Sequence, residues 1–204
     1  MILEVNPQNP QNRNIFKVAD ILESDGVIIY PTDTVYALGC NIFSHKGIEK
    51  LCMIRGIKPE KAKMSFICKD IAQIAEFTRQ IDNNTFKILK EYLPGPYTFI
   101  LNASNKLPRL MKNKKKTIGV RIPASPIVKS IIETLGQPIL SMSLKSDEDF
   151  EDYFTDPIDI HEKMGKRVDL VVDGGLGKVS PSTVVDLTTE TPTIIRQGAG
   201  KFDY

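Results

Sequence analysis

The sequence predicts an α/β domain built on a mixed sheet, and three observations carry that expectation. Short β-branched runs alternate with stretches whose apolar residues recur at helical spacing. No Pro/Gly/Ser-rich linker, internal repeat or low-complexity tract breaks the 204 residues, so a single domain over 1–204 is the economical reading. Several late apolar runs follow one another with no helix between them, which points to a mixed rather than a purely parallel sheet.

The elements follow in order. Ile2 to Val5 reads as a short strand. Ile15, Val18, Ala19 and Leu22 have helical spacing, and Gly26 is expected to stop that helix. Val27 to Tyr30 is a buried strand. Ile48, Leu51, Cys52 and Ile54 fit a helix ending near Gly56. Ser65 to Cys68 is a strand, followed by a helix through Ile71, Ile74, Ala75 and Phe77. Phe86, Ile88 and Leu89 mark another helix, stopped by Pro94-Gly95-Pro96. Tyr97 to Leu101 and Thr117 to Ile122 are strands. Ile127, Val128, Ile131, Ile132 and Leu135 form one helical face, closed by Gly136. Ile139 to Ser143, Val168 to Val172, Thr183 to Leu187 and Thr193 to Arg196 complete the strands.

Composition narrows the class. Hydrophobic content of 41% and charged content of 25% are ordinary for a soluble globular protein, and a net charge of +2 does not announce a nucleic-acid binder. The charge is unevenly spread. Tyr92 to Ile132 contains no acid, yet holds Lys106, Arg109, Lys112, Lys114, Lys115, Lys116, Arg121 and Lys129. Asp147 to Asp173 is dominated by acids and reads as a solvated face. Cys40, Cys52 and Cys68 make no disulfide framework and no CxxC pair, so reduced thiols and a cytoplasmic setting are expected. The N-terminal residues have neither a basic n-region nor a long apolar h-region, and no apolar run approaches membrane-spanning length.

The chemistry concentrates at strand ends. Tyr30-Pro31-Thr32-Asp33-Thr34-Val35-Tyr36-Ala37-Leu38-Gly39 follows the strand at Val27, where open α/β sheets place their ligand crevice. A satisfied turn explains the same hydroxyls and carboxylate about as well. His45 and His161 are the only histidines, and neither HExxH, zinc spacing, GxSxG nor GxGxxG is present. Gly174-Gly175-Leu176-Gly177-Lys178 is not a P-loop and reads as a Gly-rich turn. What remains is a set of cations and hydroxyls: Arg55, Lys58, Thr117, Arg121, Ser141, Ser143, Ser182 and Arg196. Thr117 and Arg121 share one strand face, as do Ser141 and Ser143. Together they suit a polyanion.

These residues resemble the YrdC-type threonylcarbamoyl-AMP synthase family, and within it the YciO branch. Residues 31–39 are similar to the family's PTDTVYGLG. Leu93 to Leu101 resembles its PGPxT strand, and Thr117-Ile118-Gly119-Val120-Arg121-Ile122-Pro123 its TxxxRxP. Pro181-Ser182-Thr183-Val184-Val185-Asp186 matches PSTxxD, and Arg196-Gln197-Gly198-Ala199-Gly200 the closing RxG segment. The resemblance implies a twisted, open mixed sheet with flanking helices and a large concave, cationic cleft. It implies that threonine, bicarbonate and ATP give threonylcarbamoyl-AMP and pyrophosphate, with Mg²⁺ on the phosphates, in support of t6A modification of tRNA.

Carried over by position, the resemblance puts Thr34, Arg121 and Ser182 on threonine, Arg121 as a bidentate partner of its carboxylate. Thr117, Ser143 and Arg196 fall on the nucleotide, and Ser141 lines the cleft between. Arg55 stands where the family has Lys, and Lys58 replaces the family Arg one residue late; both are expected at the reacting phosphates, with Lys63 as a further phosphate contact. Ser143-Leu144-Lys145 replaces the family's Ser-Ala-Asn, and Cys68 stands where some members have His. The competing expectation is a module that binds double-stranded RNA or a nucleotide without turnover, using the Lys106–Lys116 segment; a remnant with neither activity is the third.

Overall fold

The structure is a computed structural model describing residues 1–59, 61–107, 116–144 and 153–204. It is built on a ten-stranded sheet. The strands are β1 (Ile2–Glu4), β2 (Val27–Tyr30), β3 (Ala37–Asn41), β4 (Ser65–Ile67), β5 (Tyr97–Asn102), β6 (Thr117–Arg121), β7 (Ile139–Ser143), β8 (Leu170–Asp173), β9 (Thr183–Asp186) and β10 (Thr193–Arg196). Their spatial order is β1-β8-β2-β3-β7-β4-β6-β5-β9-β10. Four neighbouring pairs are parallel (β1/β8, β2/β8, β4/β6, β5/β9) and five antiparallel, so the mixed sheet expected from the sequence is present.

Six helices lie among the described residues: α1 (Asn12–Glu23), α2 (His45–Ile54), α3 (Ile71–Phe77), α4 (Asn83–Tyr92), α5 (Pro126–Leu135) and α6 (Pro157–Met164). All but α1 start with a side-chain cap. Ser44 Oγ accepts from Gly47 N–H at 2.7 Å, and Asp70 Oδ1 accepts from Gln73 N–H at 2.7 Å. At the end of α1 the left-handed residue is Asp25 (φ 63°), not Gly26. Gly26 N–H reaches back to the Ile21 carbonyl at 2.8 Å, the longer bond of a Schellman closure.

Strand alternation sorts the core into two layers. Val27 and Ile29 of β2 join the larger cluster, with Phe66, Phe99 and Val120 of the central strands. Ile28 and Tyr30 point the other way, into a smaller cluster with Ile15, Leu22, Ile127 and Ile131. α1 and α5 pack against each other over that second face. They cover the end of the sheet that holds β1, β8 and β2, and their cluster reaches Ala37 of β3, Ile139 of β7 and Ile67 of β4. Further along, from β3 to β10, the same face holds Ser141, Ser65, Gly119, Thr98 and Val184, which line a cavity. The fold thus builds one face half as core and half as cavity wall.

Candidate active site

The cavity has a volume of about 650 Å³, within the range of small-molecule sites. Its walls are mixed. Val35, Met64, Ile67, Ile100 and Ile195 supply apolar surface. Lys63, Arg121 and Arg196 supply charge, and Thr98, Thr117, Ser141, Ser143 and Ser182 supply hydroxyls. Residues from seven neighbouring strands therefore meet at one place, although they are spread from position 35 to position 196.

One corner is built by the loop after β2. Thr32 Oγ1 donates to the Val35 carbonyl at 2.7 Å and accepts from Thr34 N–H at 3.1 Å, which folds residues 32–35 onto themselves. Thr34 is buried, and its Oγ1 accepts from Arg121 Nη2 at 2.7 Å. The same nitrogen donates to Asp33 Oδ1. Asp33 Oδ2 accepts from Ala124 N–H at 3.0 Å. The two side chains are only 7% and 8% exposed, so this is a buried ion pair held on a backbone donor. Arg121 Nε is buried without a hydrogen-bond partner.

A second corner is built by β5, β9 and β10. Ser182 Oγ and Thr98 Oγ1 share a hydrogen bond of 2.8 Å. The Ser182 carbonyl accepts from Arg196 Nη2 at 2.7 Å and from Nε at 3.2 Å. That contact turns the Arg196 side chain back along the cavity wall. The following segment is tied down as Gly198 N–H donates to Thr183 Oγ1 at 2.9 Å and Ala199 N–H to the Pro181 carbonyl at 2.8 Å.

Ser141 lines the floor between the corners. Its Oγ accepts from the Tyr30 hydroxyl at 2.7 Å and donates to the Leu38 carbonyl at 3.1 Å. The hydroxyl proton is therefore spent inside the protein. Desolvation by burial pushes the Tyr30 phenol up, so it stays a donor through the neutral range.

The chain is similar to known proteins over most of its length. The family model for the Sua5/YciO/YrdC domain, described as telomere recombination, matches residues 20–198. The chain belongs to the Sua5/YciO/YrdC family. It is 40% identical over 198 residues to the uncharacterized protein YciO of Escherichia coli (strain K12), covering 96% of this chain and 94% of that protein. The crystal structure of E. coli YciO superposes with a TM-score of 0.90 at 39% identity, covering 98% of this chain and 97% of that one. The chain is 29% identical over 171 residues to the threonylcarbamoyl-AMP synthase of Coxiella burnetii, covering 82% and 89%. It also resembles the crystal structure of Pyrococcus abyssi Sua5 complexed with L-threonine: TM-score 0.86, 25% identity, 97% of this chain and 57% of that one.

Within this Sua5/YciO/YrdC fold, most of the residues singled out in the sequence come together. Lys63, Thr117, Arg121, Ser141, Ser143, Ser182 and Arg196 line the cavity. Thr34 lies directly behind it, on Arg121. Arg55 and Lys58 are not among the lining residues; Arg55 closes the C-terminus of α2 and Lys58 lies exposed in the following turn. Lys145 and residues 108–115 of the basic segment lie outside the described residues. Cys68 points into the larger core, its Sγ 3.8 Å from the Phe66 carbonyl, and burial pushes its thiol up.

Asp33 and Tyr30 stand at the strand end where a ligand crevice is expected, but no particular contact is expected of them there, nor of Thr98. Asp33 lies inside the 31–39 motif, and its two hydrogen-bond partners come from 88 and 91 positions away. Thr98 and Ile100 carried a readable signal, because they alternate with the core residues Phe99 and Leu101.

No helix among the described residues is long and apolar enough to cross a membrane. No group of three His, Cys, Asp or Glu among the described residues is arranged to hold a metal ion. Both oxygens of Asp33 are engaged by Arg121 and by Ala124 N–H, so Asp33 is not a ready ligand either.

Proposed function

We propose that the cavity binds ATP and L-threonine and joins them, through a carbamate, as threonylcarbamoyl-AMP. The threonine amine takes up carbon dioxide from bicarbonate to form a carbamate. A carbamate oxygen then attacks the α-phosphorus of ATP, the bond to the β-phosphate oxygen breaks, and pyrophosphate leaves. The nucleophile is already anionic, so the demand on the protein is alignment and charge balance rather than a strong base. Arg121 and Ser182 take the amino acid, with Thr34 behind Arg121 holding its guanidinium in place. Thr117, Ser143, Lys63 and Arg196 take the nucleotide, with Lys63 supplying from the cavity wall the phosphate contact expected of Arg55 and Lys58. The donor set does not fit a protein-held magnesium, so Mg²⁺ enters with the ATP phosphates. The product is of the class that supplies t6A modification of tRNA.

One observation carries this reading: Arg121, Ser182 and Arg196, from three of the five motifs, line one cavity, and Thr34, from a fourth, is hydrogen-bonded to Arg121. The likeness to relatives named threonylcarbamoyl-AMP synthase, and to a Sua5 crystallised with L-threonine, supports it. The RNA-binding alternative depends on lysines that lie mostly outside the described residues, and no observation favours it.

The test is pyrophosphate release from ATP and Mg²⁺, with and without threonine and bicarbonate, alongside mass detection of the adenylate. Threonine-dependent release of one pyrophosphate per adenylate is expected. Release that ignores threonine overturns the substrate assignment.

A further inference from the structure

Arginine can grip a carboxylate in two bidentate ways, along its side through Nε and Nη2 or at its end through Nη1 and Nη2. Both need a hydrogen on Nη2. In Arg121 that nitrogen donates to Asp33 Oδ1 and to Thr34 Oγ1 at 2.7 Å, with Thr32 Oγ1 at 3.5 Å. Its two hydrogens are thus committed, while Nε is buried without a partner. A substrate carboxylate cannot take the full fork expected from the sequence unless Asp33 or Thr34 lets go. Asp33 is not loose: Ala124 N–H donates to its other oxygen at 3.0 Å, and its side chain is buried.

We propose that Asp33 is the positioning residue of the acid-binding pocket. It clamps one guanidinium nitrogen, so that the remaining N–H groups of Arg121 meet the substrate's carboxylate in a single orientation. This rests on the assignment of Arg121 to the amino acid proposed above. The idea has a sign that separates it from plain electrostatics. Asp33 places a negative charge beside the position of an incoming anion. If net charge set the affinity, removing that charge would tighten binding. If orientation sets it, removal weakens binding, because the guanidinium gains freedom that binding must then take away.

The experiment compares wild type with the isosteric Asp33→Asn. Calorimetry is expected to show threonine affinity, at saturating ATP, about tenfold weaker, the equivalent of one charge-assisted hydrogen bond, while ATP affinity moves less than about twofold. Threonine binding that is tighter or unchanged overturns the proposal. A second readout needs no ligand. The ¹⁵N signal of the Arg121 Nε–H, identified by its loss in Arg121→Lys, is expected to exchange slowly in wild type and about tenfold faster in Asp33→Asn. Fast exchange in wild type overturns the clamp even where the variant fails to fold. A wild type that binds no threonine removes the amino-acid assignment alone, and the Nε–H signal then decides the clamp by itself.

Discussion

Tyr30 and Ser141 meet at 2.7 Å beneath the cavity, the phenol donating to the serine oxygen and the serine hydroxyl donating in turn to the Leu38 carbonyl at 3.1 Å. Three neighbouring strands, β2, β3 and β7, are pinned by this relay. Tyr30→Phe removes the donor and leaves the packing. The expected cost is about 1 kcal/mol of stability, read as a melting temperature lower by about 2–4 °C. An unchanged melting temperature would show that the relay adds nothing to the sheet.

The Arg121–Asp33 pair predicts a larger effect, because removing one partner strands a buried charge. Arg121→Leu should lose about 3–5 kcal/mol in urea unfolding. Adding Asp33→Asn to that variant should return part of the loss, giving a coupling energy of about 1–3 kcal/mol. Additive single effects would mean that the pair is not coupled. Short of unfolding, Arg121→Ala should weaken threonine binding before it weakens ATP binding.

Gly119 tests the cavity itself. It lies on β6 at the cavity wall, and a Cβ there would sit 3.1 Å from Ser65 Oγ and 3.3 Å from Thr98 Cγ2. Gly119→Val crowds that wall and should cost about 1–3 kcal/mol through overpacking. Titration with ATP and threonine should show both affinities reduced in the folded variant. Wild-type affinity for both would place the ligand site elsewhere.

Buried acidic protons give a pH dependence of definite sign. Desolvation by burial pushes Tyr30, Tyr36, Cys40 and Cys68 up in the native state. The unfolded chain releases these protons from about pH 8.5 for thiols and about pH 10 for phenols. Above those values the native state binds more protons than the unfolded one, so stability falls as pH rises. Urea midpoints should hold steady below about pH 8 and drop beyond it. The drop above about pH 10 should shrink in Tyr30→Phe. A midpoint that rises with pH in this range would contradict the burial of these groups.

Most strands and helices were legible because their apolar residues repeat at periods of two or 3.6. β3 was not. Ala37-Leu38-Gly39-Cys40-Asn41 lacks β-branched residues, and Gly39 looks like a breaker. The structure supplies the reason for that glycine: a Cβ would lie 2.7 Å from both the Tyr30 ring and Ile139. α6 was hidden as well. Its buried residues, Pro157, Ile160 and Met164, are few and fall within an acidic stretch that reads as solvated surface.

The class of fold, the residue types available for binding and the motifs that tie the chain to its family follow from the order of amino acids, since these depend on local pattern and composition. Tertiary structure alone decided which side chains meet. Pairing of β3 between β2 and β7, and of β4 between β7 and β6, brings Tyr30, Ser141, Ser65 and Gly119 onto one side of the sheet. It also closes Asp33 on Arg121 and leaves Arg55 and Lys58 out of the cavity wall. Hydrogen-bond register and the covering of one half-face by α1 and α5 set those meetings, and neither is written in any local stretch of residues.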